Sequence, residues 1–210
     1  MIKIYDISLS LSQDTPIYPN NPPLLINELR SLSEHPTSLT KIEMGVHTGT
    51  HVDAPSHAVV SGKTIGEISL DCFVGPARVL DFTKSEGKVS LENIKEKNVK
   101  TGERILLKTK NSVGGFAEFY SKYVYLDGDA ADYLSEIGVL VVGIDALSIK
   151  QRGSSDVRPH TSLLSKSIPI IEGLNLKGVI EGEFFLFSPP LAFVGIEAAP
   201  ARAILIEGLL

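Results

Sequence analysis

Short apolar runs rich in valine, isoleucine and leucine constrain the fold of this chain more than any other feature. Several of them are bounded by glycine, proline or aspartate, which is typical of buried β-strands. We predict strands at residues 2–8, 24–29, 42–46, 77–82, 105–109, 123–126, 139–144, 168–172 and 203–206. The chain is therefore expected to build a strand-rich core around a sheet.

Three further stretches have the signature of helices. Ser90 is a favourable cap for a helix over residues 90–98. The stretch 129–137 ends at Gly138, a common helix stop, and leads directly into a predicted strand. Residues 161–165 predict a short helical turn. Many strands with two or three helices indicate a mixed α/β fold.

Length and composition narrow the class of protein. The 210 residues, 43% of them hydrophobic, fit a single domain over residues 1–210 with a substantial core. The net charge is −5 and no basic run occurs, so nucleic acid is not an expected partner. The first residues lack the apolar core of a signal peptide, and no apolar run has the length of a membrane span. We therefore expect a cytoplasmic protein without a membrane partner.

The single cysteine, Cys72, has no second cysteine with which to form an internal disulfide. It lies in the segment Leu70-Asp71-Cys72-Phe73-Val74, which we interpret as the edge of a buried strand. A cysteine in such a place behaves as a small apolar residue. We therefore assign it no chemical role.

The residues with the clearest chemical meaning lie in one segment, His47-Thr48-Gly49-Thr50-His51-Val52-Asp53-Ala54-Pro55-Ser56-His57. Three of the five histidines of the chain are found here, together with an aspartate. Imidazole and carboxylate groups are the ligands that zinc, manganese and iron accept in proteins. The segment therefore predicts a metal site.

The backbone of this segment determines whether its side chains can share a metal ion. His47 and His51 stand four residues apart and would share one face of a helix. The β-branched residues between them, together with Gly49 and Pro55, argue against a helix. In an extended chain, His51 and Asp53 face the same side with Cα atoms roughly 6.6 Å apart. We therefore interpret the segment as a bent strand or strand-loop with the metal site on its inner face, in which a bend at Gly49 lets His47 approach.

Residues elsewhere in the chain are candidates to complete this site. His35 lies in a polar loop beside a proline, and we assign it as solvated. His160 precedes an apolar, helix-like run, and Glu172 ends a buried strand, where an unpaired carboxylate is costly. Spacing alone leaves a metal role open for either. Asp145 also follows a buried strand, but a hydrogen bond to a turn explains it equally well.

The segment 47–57 resembles the signature of the bacterial cyclase-like metal-dependent hydrolases, His-x-Gly-Thr-His-x-Asp-x-Pro-x-His. This family includes kynurenine formamidase (arylformamidase) and isatin hydrolase. The similarity extends over nearly the whole chain, and further matching segments are Asp6-Ile7-Ser8, Pro16-Ile17-Tyr18-Pro19, His160 with Leu163-Leu164, Glu172, and Pro190-Leu191 through Ala201-Arg202-Ala203.

The resemblance implies a fold, an assembly and a metal centre. The implied fold is a swivelling β/β/α domain, and the implied assembly is a homodimer or a higher homo-oligomer such as a tetramer. The implied centre holds two divalent ions, zinc or in some relatives manganese. The resemblance assigns His47, His51 and Asp53 to one ion. It assigns Asp53, His160 and Glu172 to the other, so that Asp53 bridges the two.

Two further residues receive roles from the resemblance. His57 matches the general acid/base of the family. Tyr18 stands at a substrate-binding position where kynurenine formamidases of this type carry a tryptophan, and this chain has no tryptophan. This departure leaves the specific substrate N-formylkynurenine, and with it a role in tryptophan catabolism, open.

The ligand set indicates the chemistry. A bound divalent ion lowers the pKa of its water from about 15.7 to about 7, which makes hydroxide available to attack a carbonyl at neutral pH. His57 is then the group that gives a proton to the leaving nitrogen. We predict a metal-dependent amidohydrolase of the arylformamidase type, which cleaves a small amide such as N-formylkynurenine by metal-activated hydroxide.

Two other functions stay open at this stage. Tyr18 favours an isatin-type hydrolase of cyclic amides or lactones. A non-catalytic metal- or ligand-binding protein is the alternative from another class, although it has no need of the unliganded His57. A structural zinc site is disfavoured, because such sites prefer cysteine and closed coordination.

Overall fold

The structure of the chain is a computed structural model that describes residues 1–116 and 118–209. Within these residues the fold is mixed α/β and rich in strands, as predicted. In chain order the strands are β1 (Lys3–Asp6), β2 (Leu25–Arg30), β3 (Leu39–Glu43), β4 (His51–Asp53), β5 (Val74–Asp81), β6 (Lys88–Val89), β7 (Arg104–Lys108), β8 (Tyr125–Leu126), β9 (Val141–Ile144), β10 (Ile170–Glu172), β11 (Gly182–Phe187), β12 (Ala198–Pro200) and β13 (Ile204–Glu207).

The α-helices of the described residues are α1 (Leu91–Glu96), α2 (Lys110–Gly114), α3 (Gly128–Ile137) and α4 (Arg158–Ser165). Ser90 caps α1, since its hydroxyl accepts a hydrogen bond from the N–H of Asn93. Gly138 ends α3 in the left-handed conformation, with φ of +77°. Both of these ends confirm the sequence prediction. None of the helices in the described ranges has the length and apolar character needed to cross a membrane.

Within the described ranges, nine strands form one sheet in the order β1-β13-β11-β5-β7-β9-β10-β4-β12. The central strands β5, β7, β9 and β10 run parallel, and the chain crosses between them through the helices. Antiparallel strands flank this centre, with β11, β13 and β1 on one side and β4 and β12 on the other. The short pairs β2–β3 and β6–β8 lie outside the large sheet.

Both faces of the central strands are buried. On β7, Ile105 and Leu107 pack into a cluster with the helices, while Leu106 packs into a second cluster on the opposite face. The second cluster draws on both ends of the sheet, including Val52 of β4 and Leu205 of β13, so the sheet curls around it. Burial on both faces explains why these strands are continuous apolar runs in the sequence rather than alternating ones.

Two predicted strand segments are wrong. The strand expected over residues 42–46 ends at Glu43, because the chain turns there toward His47. The segment around Cys72 is not a strand edge. It forms a 3₁₀ turn over Leu70–Cys72, since the Ser69 hydroxyl accepts a hydrogen bond from the N–H of Asp71, and Cys72 is only half-buried.

Replacing Leu106 by Ala tests the second cluster. The side chain is fully buried, so its truncation should lower the free energy of unfolding by about 2–5 kcal/mol through lost burial and a new cavity. Urea denaturation measures the change. Leu32→Ala is the control, because Leu32 is 71% exposed and its loss should stay within about 0.5 kcal/mol. Equal effects of the two substitutions would contradict this packing.

Candidate metal centre

Strands β4 and β10 bring three of the predicted ligands together. His51 and Asp53 are alternate residues of β4, so their side chains leave the same face of the sheet. Glu172 of β10 lies directly opposite His51 in the antiparallel pair. As a result, His51 Nε2 is 3.4 Å from Asp53 Oδ1 and 3.5 Å from Glu172 Oε2. All three side chains are buried.

A bend at Gly49 returns His47 to this group. Gly49 has φ of +65°, and His47 lies in the turn that precedes it. His47 Nδ1 consequently lies 2.9 Å from Asp53 Oδ1. Gly173, with φ of +68°, packs against the bend so closely that a Cβ there would lie 2.3 Å from the carbonyl oxygen of Gly49. The bend that the sequence predicts at Gly49 is therefore confirmed.

Thr50 ties the bend to two other parts of the chain. Its hydroxyl donates a hydrogen bond to the carbonyl oxygen of Gly173 (2.6 Å) and accepts one from the N–H of Leu9 (2.8 Å). Thr50 is buried, so these bonds are shielded from water. They hold the bend in register with the strand that carries Glu172.

Two further histidines reach the cluster from other elements. His57 ends the 3₁₀ turn Pro55–His57, and its Nε2 lies 4.0 Å from Asp53 Oδ2. His160 lies on α4, with Nε2 3.2 Å from Glu172 Oε1 and 3.8 Å from Asp53 Oδ2. The structure thus brings together every side chain to which the sequence analysis gives a metal or acid/base role. His35 is exposed in a turn, as expected.

Arg158 anchors the helix that carries His160. It is the first residue of α4, and its guanidinium forms ion pairs with Asp129 and Asp132 of α3 and with Asp156. These contacts dock the start of α4 on α3. The position of His160, two residues further along, depends on this docking.

Several polar atoms of the cluster are buried without a hydrogen-bond partner among the described residues, namely His51 Nε2 and both carboxylate oxygens of Asp53. His47 Nδ1 is close to Asp53 but is not aligned as a hydrogen bond. His51 Nδ1 is 3.0 Å from the carbonyl oxygen of Gly49, so Nδ1 donates to that oxygen and Nε2 is the nitrogen that faces the cluster. Buried polar atoms without partners are costly, and a bound cation would satisfy them.

Two sets of ligand atoms overlap at Asp53. His47, Asp53 and His57 form one set, and His51, Asp53 and Glu172 form the other; the atoms of each set lie within 4.8 Å of one another. Nitrogen and oxygen donors of this kind suit zinc and manganese. The residues present therefore fit a divalent metal ion. His57 is the most exposed side chain of the cluster, at 31%.

The carboxylates control protonation of the metal-free cluster. Burial opposes a charged His51, but Asp53 and Glu172 outweigh it and raise the pKa of His51 to about 10. Burial likewise opposes ionisation of Asp53, yet the neighbouring His47 and His51 hold the pKa of Asp53 well below its ordinary value. Without a metal ion, His51 therefore carries a proton beside the ionised carboxylates. Binding of a metal ion at Nε2 of His51 requires release of that proton.

His57 differs from His51 in its protonation. Burial lowers the pKa of His57, and the nearby His47 and His160 lower it further against the opposing charge of Asp53. The ring is therefore neutral at neutral pH. A neutral imidazole beside a metal site has one nitrogen that can accept a proton.

Aromatic side chains stand beside the cluster. The Tyr18 and Phe119 rings meet edge to face at 5.4 Å, and Phe119 and Tyr123 lie 6.2 Å apart. The Tyr123 hydroxyl donates to the carbonyl oxygen of Lys150 (2.5 Å). The pKa of Tyr123 is raised, first by burial and then by Tyr18 and Glu172. Tyr123 therefore lies near both Tyr18 and Glu172.

The sequence analysis misses Glu197, whose Oε1 lies 3.5 Å from His47 Nε2. This glutamate is distant in sequence from the histidine motif and is surrounded by small and apolar residues. No local pattern of residues marks it as part of the site. Only the pairing of β12 with β4 brings it there.

Asp145 stabilises the start of α2 and is not part of the cluster. Its carboxylate accepts hydrogen bonds from the N–H (2.8 Å) and hydroxyl (2.7 Å) of Thr109 and from the N–H of Ser112 (3.2 Å). These donors lie at the start of α2. Of the two interpretations that the sequence leaves open, the strand-end hydrogen bond is the one that the structure shows.

Comparison with known families agrees with the fold and the cluster. The family described as "Putative cyclase" matches residues 5–151, which include the bend and both residues of β4 that face the site. A match of this extent covers more than half of the chain. The chain belongs to the cyclase family, as the motif predicts.

Two similar proteins of this family share a name. The chain is 36% identical over 204 residues to a kynurenine formamidase of Salinibacter ruber, with 96% of each protein covered. It is 34% identical over 204 residues to a kynurenine formamidase of Bacillus mycoides, with 95% of each covered.

Solved structures agree with the fold. One described as a potential metal-dependent hydrolase with cyclase activity is 37% identical, with a TM-score of 0.87 and 98% of each chain covered. Isatin hydrolase A from Labrenzia aggregata, solved with benzyl benzoate, is 22% identical, with a TM-score of 0.83; the match covers 98% of this chain and 93% of the other. At that identity the second likeness concerns the fold alone.

Substituting Gly173 by Ala tests the contact that holds the bend. Gly173→Ala and Gly178→Ala both force alanine into a positive φ, but only at Gly173 would the new Cβ meet backbone; at Gly178 it enters open space. Gly173→Ala should therefore lower the free energy of unfolding by about 1–3 kcal/mol more than Gly178→Ala.

The same substitution should weaken metal binding, because it displaces the turn that carries His47. Titration with zinc in the presence of a competing chelator measures the affinity. Gly178→Ala should bind zinc as the unaltered chain does. Equal affinity in Gly173→Ala would mean that the close packing of Gly173 on Gly49 has no influence on the cluster.

Proposed function

We propose that this chain is a metal-dependent hydrolase that cleaves the C–N bond of a small amide, with an aryl formamide such as N-formylkynurenine as the leading substrate. The observation that carries this proposal is the buried cluster, in which His51 Nε2 and the Asp53 oxygens have no protein partner among the described residues while the neutral His57 stands at its rim. The similarity to curated kynurenine formamidases confirms the class of enzyme predicted from the sequence.

The proposal assigns two divalent ions to the cluster. The partition follows the family resemblance and differs from the two sets of neighbouring atoms described above. In this proposal His47, His51 and Asp53 would hold one ion, and Asp53, His160 and Glu172 the other. We propose zinc as the metal, with manganese as the alternative. When bound, such ions supply a water of lowered pKa and polarise the carbonyl group of the substrate.

The chain itself supplies the proton transfers. His57 is neutral at neutral pH, so its Nε2 accepts the proton of the attacking water. The protonated ring then gives that proton to the leaving nitrogen, and the amine departs. His57 is suited to both steps because its side chain is partly exposed and can reach the substrate from the rim of the cluster.

We propose that Tyr18 contacts the substrate. Its ring is fixed by the edge-to-face contact with Phe119 and stands near Tyr123. Aromatic side chains in this arrangement offer ring faces and edges on which an aromatic amide can pack.

An isatin-type hydrolase of cyclic amides or lactones is the second candidate. Tyr18 in place of tryptophan favours it, because a smaller ring covers less of an extended aryl substrate. The fold is shared with isatin hydrolases. An assay of the metal-loaded protein against N-formylkynurenine, isatin and simple lactones separates the two activities. A protein that binds metal and turns over none of them would support a non-catalytic binding role.

Other expectations accompany this proposal. A small-molecule substrate is the partner that the relatives support. A cytoplasmic location, a single domain over residues 1–210, a homo-oligomeric assembly and a place in tryptophan catabolism stay predictions.

Replacing His57 by Ala tests the proton-transfer step. We expect kcat to fall by about 10²- to 10⁴-fold, the usual contribution of a general acid/base, while metal content measured by mass spectrometry stays unchanged. His35→Ala is the control, because His35 is exposed and outside the cluster. Unchanged turnover in His57→Ala would contradict the role of this residue, and lost metal would instead make it a ligand.

Replacing His160 by Ala tests the assignment of two ions. His160 is assigned to one ion only, so the variant should retain about one of two ions per chain after dialysis, because the other ligand set is intact. Removing all metal with a chelator should abolish activity, and added zinc or manganese should restore it. Loss of both ions, or of neither, in His160→Ala would contradict the two-ion assignment.

A further inference from the structure

Glu197 reaches the ring of His47 from the side opposite the cluster. His47 Nδ1 lies 2.9 Å from Asp53 Oδ1, and His47 Nε2 lies 3.5 Å from Glu197 Oε1. The imidazole therefore stands between two carboxylates. One of them belongs to the buried cluster, and the other has no role in the function proposed above.

The backbone holds Glu197 at this place. Its carbonyl oxygen accepts a hydrogen bond from the N–H of Ala54 (2.8 Å), directly after Asp53. The next residue, Ala198, is the register partner of Asp53 in the pairing of β12 with β4. Glu197 is therefore fixed beside the cluster by the sheet rather than by a flexible loop.

The side chain of Glu197 is available to accept a hydrogen bond from His47. It is 42% exposed, and His47 is its only side-chain partner in the described part of the chain. At 3.5 Å the contact is somewhat longer than a standard hydrogen bond. A small rotation of the exposed glutamate side chain is enough to shorten it.

We propose that Glu197 is a positioning residue that fixes the tautomer of His47. Its carboxylate accepts the proton of Nε2, so the lone pair of Nδ1 points at the metal position beside Asp53. His51 is fixed in the opposite sense, because its Nδ1 donates to the carbonyl oxygen of Gly49 and its Nε2 faces the cluster. The two histidines thus present different nitrogens, and a different group determines the choice in each.

The physical consequence concerns metal affinity. A carboxylate on the outer nitrogen orients a ligating imidazole and raises its basicity, and loss of such a partner costs about 10- to 100-fold in metal affinity. The inference rests on the metal centre proposed above. It adds a residue that determines how tightly that centre holds its ion.

The test measures binding of zinc and cobalt to Glu197→Ala without any substrate. Competition with a chelator should show one of the two ions held about 10- to 100-fold more weakly, with the other unchanged. The visible spectrum of the cobalt form should change, because the imidazole is reoriented. Glu197→Gln should lose less affinity, since its amide oxygen still accepts a hydrogen bond.

Glu183→Ala is the matched control, because Glu183 is an exposed glutamate on β11, outside both ligand sets. Melting temperatures of the metal-free variants should match that of the unaltered chain. Unchanged affinity and an unchanged cobalt spectrum in Glu197→Ala would overturn the inference. That result leaves the proposed hydrolase intact if the unaltered chain cleaves its substrate. If the unaltered chain binds zinc but cleaves no amide, the proposed hydrolase function is refuted and the inference on Glu197 is not affected.

Discussion

The buried carboxylates of Asp53 and Glu172 lie close together, and the rest of the structure depends on compensation of their negative charge. Burial and the neighbouring Asp53 both oppose ionisation of Glu172, yet His160 and His51 outweigh them and lower its pKa. Isolated buried charges are too costly for a folded protein to tolerate. The surrounding imidazoles and the N–H of Ile149, which donates to Glu172, stabilise them, and the proposed divalent ions would complete this compensation.

The fold supplies these groups from several directions. The parallel strand β10 presents Glu172 at its carboxyl end, and the antiparallel strand β4 places His51 opposite it. Helix α4 adds His160 from above the same face, anchored by Arg158. Strand β12 closes the arrangement by pairing with β4 and bringing Glu197 to the rim. Secondary structure thus orients the cluster, because most of these side chains leave a strand or a helix rather than a long loop.

Much of the fold could be predicted because its central strands are buried on both faces and form continuous apolar runs. The sequence analysis does not predict strands β11 and β12, and each omission has a physical explanation. Strand β12 is Ala-Ala-Pro, residues with a low propensity for β-strands. Its extended conformation is stabilised by the pairing with β4. Strand β11 buries Phe184 and Leu186 between more exposed neighbours, yet residues 184–187 are all apolar, so no alternation of apolar and polar residues marks it in the sequence.

The sequence by itself determined the chemistry of the site. Three histidines and an aspartate in one short segment, with Gly49 to bend it, place side chains suited to metal binding close together through local geometry alone. Only the tertiary structure decided which distant groups complete the cluster and which do not. Asp145 and Glu172 both follow or end buried strands, yet Asp145 meets the start of α2 whereas Glu172 meets His51. Strand pairing across the chain makes that difference, and no local pattern encodes the order of strands in a sheet.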